Sequence, residues 1–308
     1  MAPSWRVVLD QQRGLITAAQ ARLGGLGRQQ LYWRLESGRW QRVHPRVYAA
    51  HNGGLSSEQR ELAALLYAGT GAVLSHQTAA RLDGLSGHET TVVHVTVPAD
   101  RRVRSLSEVR VHRSRLLGPL DVHPSRRPAR TRLPRSIVDI AVASRGRDDV
   151  RAVLAAGVQQ GLVLAADLRA AVLRAGPRRR RALMLTTLSD IAGGSHSLPE
   201  LQMLALLRQA CLREPDQRQK RLRNGRWYLD MWWEAPRLAV EVDGGLHRMT
   251  ERWWGDLDRM NEVGLGDRLV LRFPSHVIRE RPERVADQLR RGLARRPARS
   301  NPTVETDA

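Results

Sequence analysis

Cysteine is almost missing from this chain: Cys211 stands alone among 308 residues. A single thiol closes no internal disulfide and builds no Cys-rich zinc site, so a reducing cytoplasm is the expected setting. Cys211 follows an apolar helical pattern, which places it in a core. Lysine is equally scarce. Only one of the 51 Lys and Arg residues is lysine, Lys220, so arginine carries the basic charge. Long hydrophobic runs are also missing. The longest fall far short of the roughly 20 residues that span a bilayer, and no membrane association is expected. The opening MAPSWRVVLDQQRG has no long apolar core, which argues against a secretory signal.

What is present reads as globular. The chain is 42% hydrophobic and 27% charged, too apolar for disorder and too charged for a membrane bundle. Its length suits two domains or three small ones. The formal net charge is +20, with 31 Asp and Glu against the basic excess. Such a balance fits a polyanionic partner, most simply nucleic acid, though a generally solvated basic surface gives the same total.

Residues 1–55 carry a helix-rich pattern with two short strands at its end. Val7, Val8 and Gln11 open a helix that Gly14 ends, and Thr17 is an N-cap for Ala18 to Leu23. Gly24, Gly25 and Gly27 make a turn. Arg28 to Glu36 then reads as a second helix, with Leu31 and Leu35 on its buried face. Trp40, Val43, Val47 and Tyr48 suit two strands joined around His44 and Pro45. The order is that of a winged helix-turn-helix. Arg28, Arg34, Arg39, Arg42 and Arg46 lie on or beside the second helix and the wing, the elements that meet DNA in such a module. A compact helical domain with a solvated basic face is the alternative.

Residues 56–180 read as a mixed α/β region. Residues 57–86 read as helical, with Leu62, Leu65 and Leu66 before Gly69 and Gly71 and with Ser75 an N-cap for His76 to Leu82. TTVVHVTV at 90–97 and SEVRVHR at 107–113 alternate as strands. Arg101, Arg102 and Arg104 lie in the connection between them. Helices are expected over 137–143, 150–160 and 165–173. GPRRRRA at 176–182 is either a phosphate contact or a solvated elbow. Beyond Pro297 the chain has almost no apolar content, and 297–308 is expected to be a disordered tail.

The sharpest chemistry begins at Ser197. A helix starts there, with Pro199 in its first turn and Glu200 beside it. A short strand near 218–222 leads to Asn224-Gly225, a hairpin signal. The next strand carries Asp230. Leu238 to Val242 is apolar enough for a central strand. Glu241 and Asp243 flank Val242 and so share a face. Two acids on one side of a sheet repel, and burial sharpens the repulsion. A divalent cation would relieve it. Glu200, Asp230, Glu241 and Asp243 together form an all-oxygen set of the kind that takes Mg²⁺ or Mn²⁺. Each acid alone is as readily a surface group or an arginine partner. His247 lies just past the double glycine, to hold water, serve a leaving oxygen or simply shape a turn. A helix from about 251 to 263 carries Asp256 and Arg259, with Trp253 and Trp254 available for bases or for a core. Strand 268–273 and helix 280–293 close an α-β-β-β-α-β-α order.

With these residues on view, 195–294 resembles the DUF559 family, in the very-short-patch-repair-like branch of the PD-(D/E)XK nuclease superfamily. The matching pieces are Ser197 with Glu200, Gln219, Tyr228-Leu229-Asp230, Glu241-Val242-Asp243-Gly244, His247, Asp256 and Asp258-Arg259, with RLVLRFPSHVI after them. The resemblance implies a restriction-endonuclease-like α/β domain and metal-dependent hydrolysis of DNA leaving a 5′-phosphate. Asp230 and Glu241 would be metal carboxylates and Glu200 the helix carboxylate. Gln219, Asp256 and Arg259 would support the site or hold phosphate, and His247 would assist. Asp243 stands where many relatives place a lysine that orients the attacking water, although this branch normally has an acid there. The N-terminal run GLITAAQARLGGLGRQQLYWRLESGRWQRVHPRVYAA resembles the winged helix of AbiEi-like antitoxins, and SHQTAARLDGL their middle portion. That implies DNA binding.

The expected fold is therefore an α/β and α+β multidomain protein: a winged helix-turn-helix, a mixed α/β middle region and a nuclease-like α/β domain. The expected function is a Mg²⁺- or Mn²⁺-dependent DNA endonuclease. The alternative is a non-catalytic DNA-binding regulator or antitoxin-like protein with a retired nuclease core. Cutting both strands calls for a homodimer or two sequential nicks, and the sequence leaves both open.

Overall fold

The computed structural model describes residues 3–195, 197–221, 228–243 and 269–295. The architecture is mixed α/β, of the α+β multidomain kind, with three small sheets among the described residues. Two compact units form, one from residues up to 143 with 170–179, the other from 144–169 and 180 onward. The expected segment 56–180 is thus shared between them. No described helix is long and apolar enough to cross a membrane.

The first unit begins α1 (Trp5–Gln11), β1 (Leu15–Thr17), α2 (Ala18–Leu23), α3 (Arg28–Glu36), β2 (Gln41–His44) and β3 (Val47–Ala49). Thr17 caps α2 as its sequence predicts. Its Oγ1 accepts the Gln20 N–H at 3.2 Å, and the Gln20 side chain accepts the Thr17 N–H at 2.9 Å. The strands form an antiparallel sheet in the order β1-β3-β2. Val8, Leu9, Ile16, Ala21, Leu26, Leu31, Trp40 and Tyr48 make one core. Strand alternation sends Leu15, Val47 and Ala49 to a second cluster, where Ala63 of α4 (Ser57–Ala68) joins them. Because α4 covers this sheet, residues on either side of position 56 belong to one compact unit.

Ala64 and Ala68 of α4 also pack with Leu74, Val93, Val95, Val97 and Val109. These come from β4 (Val73–Leu74), β5 (Val93–Pro98) and β6 (Val109–Ser114), whose sheet runs β4-β5-β6. β4 is antiparallel to β5, and β5 is parallel to β6. Two helices accompany it, α5 (His76–Leu82) and α6 (Leu133–Ala143). Arg135 of α6 is 3% exposed and fully engaged. It donates to Asp139 at 2.8 Å, Asp121 at 3.1 Å, the Leu116 carbonyl at 2.8 Å and Ser114 at 3.2 Å. A buried guanidinium needs such a complete set of acceptors.

The second unit holds α7 (Arg147–Gln159), the start of α8 (Ala165–Arg174), α9 (Arg181–Ala192) and α10 (Leu198–Gln209). Helix α9 was not expected. Within the arginine run before it, Arg180 is held by the chain itself. That guanidinium donates to the carbonyls of Ser144, Arg145 and Gly146. Cys211 is another correction. Helix α10 ends at Gln209, and Cys211 lies beyond it, exposed, at φ +52°.

The sheet of this unit runs β10-β9-β8-β7, from β7 (Gln217–Arg221), β8 (Tyr228–Trp233), β9 (Leu238–Asp243) and β10 (Leu269–Pro274). β9 is central, parallel to β10 and antiparallel to β8. One face carries Met231, Trp233, Leu238, Val240, Val242, Leu271 and Phe273. These pack against Met203, Leu204 and Leu207 of α10, and against α11 (Ser275–Glu280) and α12 (Pro282–Ala294) through Val277, Val285 and Leu289. Trp233 is fully buried, and its indole N–H donates to the Arg213 carbonyl at 3.1 Å. Trp233→Ala removes that area and strands the carbonyl. A loss of about 3–5 kcal/mol is expected in urea unfolding followed by far-UV circular dichroism.

Candidate functional site

The acids on α10 and β8 meet through a glutamine on β7. Ser197 is the N-cap of α10; its Oγ accepts the Glu200 N–H at 3.3 Å and donates to Glu200 Oε1 at 2.7 Å. Glu200 is thereby fixed at the first turn of the helix, where the backbone dipole favours its charge. It is buried, at 7% exposure, so solvent does little to screen it. Its other oxygen accepts a long 3.4 Å contact from Gln219 Nε2. The same amide donates to Asp230 Oδ1 at 3.1 Å. Gln219 takes φ +48°, a left-handed conformation rare for a residue with a β-carbon. Its neighbour Arg218 is anchored to Asp190 and Glu214.

Asp230 sits where the β8–β9 ladder stops. Met231 faces Val240, and one residue further along β8 the Asp230 carboxylate replaces a backbone carbonyl as partner. Its Oδ2 accepts the Val242 N–H at 2.7 Å. Burial raises the Asp230 carboxyl above the ordinary aspartate range. Repulsion from Glu200 and Glu241 adds to that, against the bonds from Val242 and Gln219.

A raised carboxyl means that the fold favours the protonated form. Stability is therefore fullest below the unfolded value of about 3.9 and is lost as pH rises through the folded one. Asp230→Asn removes this cost. At neutral pH without divalent ions, its thermal midpoint should lie above wild type; an equal or lower midpoint would contradict the repulsion.

Glu241 and Asp243 are placed differently. Glu241 lies on the β9 face opposite Val240 and Val242, and its Oε2 pairs with Arg272 Nε at 2.8 Å. Arg272 is exposed and Glu241 partly so, which makes this an ion pair near the surface. Asp243 is exposed at the end of β9. Among the described residues, the four expected carboxylates do not form a set whose ligand atoms all lie within 4.8 Å of one another. Glu200 and Asp230 come together around Gln219, and Glu241 stands within electrostatic reach of Asp230. His247, Asp256 and Arg259, with Trp253, Trp254, Asn224-Gly225 and the tail 297–308, lie outside the described residues. A hard divalent ion fits the Glu200–Asp230 pair on the donor chemistry, since both offer carboxylate oxygens and the charge of Glu200 adds to the raised state of the Asp230 carboxyl.

In the first unit the basic residues divide into two kinds. Arg28, Arg39, Arg42 and Arg46 are exposed. Arg46 forms the β2–β3 turn at φ +65°. Arg39 lies over the Trp33 ring at 4.7 Å. Arg34, by contrast, is half-buried, 5.1 Å from the Trp5 ring and 5.7 Å from the Trp40 ring, and donates to the Gln30 carbonyl at 3.0 Å. Its charge holds the core together by stacking. The outer face of α3 instead presents Gln29, Gln30, Tyr32 and Trp33, with the two aromatics 63% and 52% exposed. Sequence patterning passed over these four, although exposed aromatics beside glutamines were the available signal. A groove of ≈ 880 Å³ runs past the turn, lined by Gln20, Arg46, Arg102 and Arg104 among others.

Compared with protein-family models and with curated proteins, the chain matches none.

Proposed function

We propose that the chain is a metal-dependent DNA endonuclease, with its first six elements serving as a winged helix-turn-helix that holds the duplex. The observation that carries this reading is the acid pair of buried Glu200 and half-buried Asp230, bridged by one glutamine amide at the end of a strand ladder. Bringing two acids together in a partly desolvated site is costly unless the site has a use for them. When bound there, Mg²⁺ or Mn²⁺ supplies Lewis-acid charge at the phosphate and a more acidic water.

The chain's own residues do the rest. Asp230 and Glu200 offer oxygens held from behind by Val242, Ser197 and Gln219, so they are oriented before substrate arrives. Glu241, released from Arg272, adds a third carboxylate, and the freed guanidinium can meet a phosphate. In the first unit, Gln29 and Gln30 suit adenine edges and the exposed arginines suit backbone phosphates. A cleavage screen over duplex, nicked, branched and mismatched DNA with Mg²⁺ or Mn²⁺ tests the reading. It expects products that end in a 5′-phosphate and vanish with chelator. No cleavage of any form would defeat it.

One observation favours a second reading, a DNA-binding regulator with a retired core: Glu241 is tied to Arg272 and the four acids do not converge. That protein would bind one DNA sequence tightly and show no Mg²⁺ or Mn²⁺ affinity in calorimetry.

A further inference from the structure

Among the described residues, one group of three or more potential ligands has its donor atoms mutually within 4.8 Å, and it is in the first unit: His76, His94 and His112. We propose that these three histidines form a transition-metal site, selective for a borderline ion such as Zn²⁺ and separate from the carboxylate site.

The backbone brings the rings together from three elements. In the parallel β5–β6 register His94 faces Arg110 and Thr96 faces His112. His94 and His112 are therefore diagonal neighbours on one face of the sheet. His94 Nδ1 and His112 Nε2 stand 3.0 Å apart. Two nitrogens on a tetrahedral Zn²⁺, each about 2.0–2.1 Å from it, lie about 3.3 Å from one another. This pair is within a few tenths of an ångström of that edge. His76 opens α5 at φ +51°, and its ring stacks on His112 at 3.7 Å and 18°. A β-carbon at positive φ is strained, and here the strained residue sets its imidazole over His112, with the His94 ring 5.5 Å away.

The surroundings suit ligation. Ser75 occupies the N-cap position of α5 but makes no side-chain cap bond. Its hydroxyl instead lies 2.9 Å from His76 Nδ1 and accepts from Thr96 Oγ1 at 2.8 Å. A hydroxyl that takes the Nδ1 proton leaves Nε2 as the ligating nitrogen, the usual way a second shell fixes a metal-binding histidine. The nearby Arg135 is neutralised by Asp121 and Asp139. Three imidazole ligands favour Zn²⁺, Co²⁺ or Ni²⁺ over Mg²⁺.

The test uses untagged full-length protein, stripped with chelator and carrying Asp230→Ala so that the acid pair adds no metal. Zn²⁺ retained after dialysis is measured by mass spectrometry, and Co²⁺ binding by its visible absorption. The expected result is one equivalent of Zn²⁺, a tetrahedral Co²⁺ spectrum, and a Zn²⁺-dependent rise in thermal midpoint. His94→Gln with His112→Gln should lose all three. Should that pair fail to fold, His112→Asn alone should lower Zn²⁺ affinity at least tenfold. No retained Zn²⁺ in the parent, or retention undiminished in the folded histidine variants, would overturn the site.

Discussion

Asp230→Ala should lower metal-dependent DNA cleavage by at least a factor of about 100 while leaving DNA affinity within about twofold. The estimate rests on charge stabilisation of several kcal/mol at a metal-assisted phosphoryl centre, each 1.36 kcal/mol being tenfold in rate. Asp230 meets the requirements for such a loss. Its carboxylate lies beside Glu200 and is shared with Gln219 and the Val242 N–H. Asp230→Asn controls for shape, since it keeps the volume and loses the charge, and it should be equally inactive. Gln219→Ala should cost about 10–100-fold through loss of ligand orientation. Single-turnover cleavage and fluorescence anisotropy separate rate from affinity. Cleavage undiminished in Asp230→Ala would remove the acid pair from the mechanism. Affinity lost together with rate would place Asp230 in DNA binding or folding instead.

The second large effect is on salt dependence. If Arg28, Arg39, Arg42 and Arg46 each meet one phosphate, their joint replacement by alanine should reduce the slope of log affinity against log salt by about 3.6, at about 0.9 per contact. Between 50 and 200 mM salt that slope accounts for about a hundredfold in affinity. The four guanidiniums are exposed, so the folded state should be little affected. Arg34→Ala makes the contrast. Arg34 stacks on Trp5 and Trp40, and its loss should lower the thermal midpoint with little change in slope. Equilibrium binding at four salt concentrations checks both. An unchanged slope in the quadruple variant would move the DNA-binding face elsewhere.

Much of the local structure was legible because it depends on neighbours in sequence. Thr17 caps α2 through Gln20, three residues on, and the Leu238–Val242 strand declares its internal place by a run of apolar residues broken only at Glu241. Helix α9 was masked by the arginine run before it, whose Arg180 is satisfied by carbonyls some 35 residues earlier. Cys211 was misplaced because an apolar pattern does not show where a helix stops. At the acid site, parity correctly put Glu241 and Asp243 on one face, but it could not show that Arg272 of the adjacent strand takes Glu241.

By itself the sequence determined the chemistry available: arginine-borne charge, almost no thiol, acids at 200, 230, 241 and 243, and the order of most helices and strands. Caps, turns and alternation act over a few residues, and so they can be read directly. Tertiary structure alone decided which acids share a glutamine, which arginines lie on indoles rather than in solvent, and that three histidines from separate elements close on one another. Those outcomes follow from strand register and helix packing, which bring together groups that sequence spacing leaves far apart.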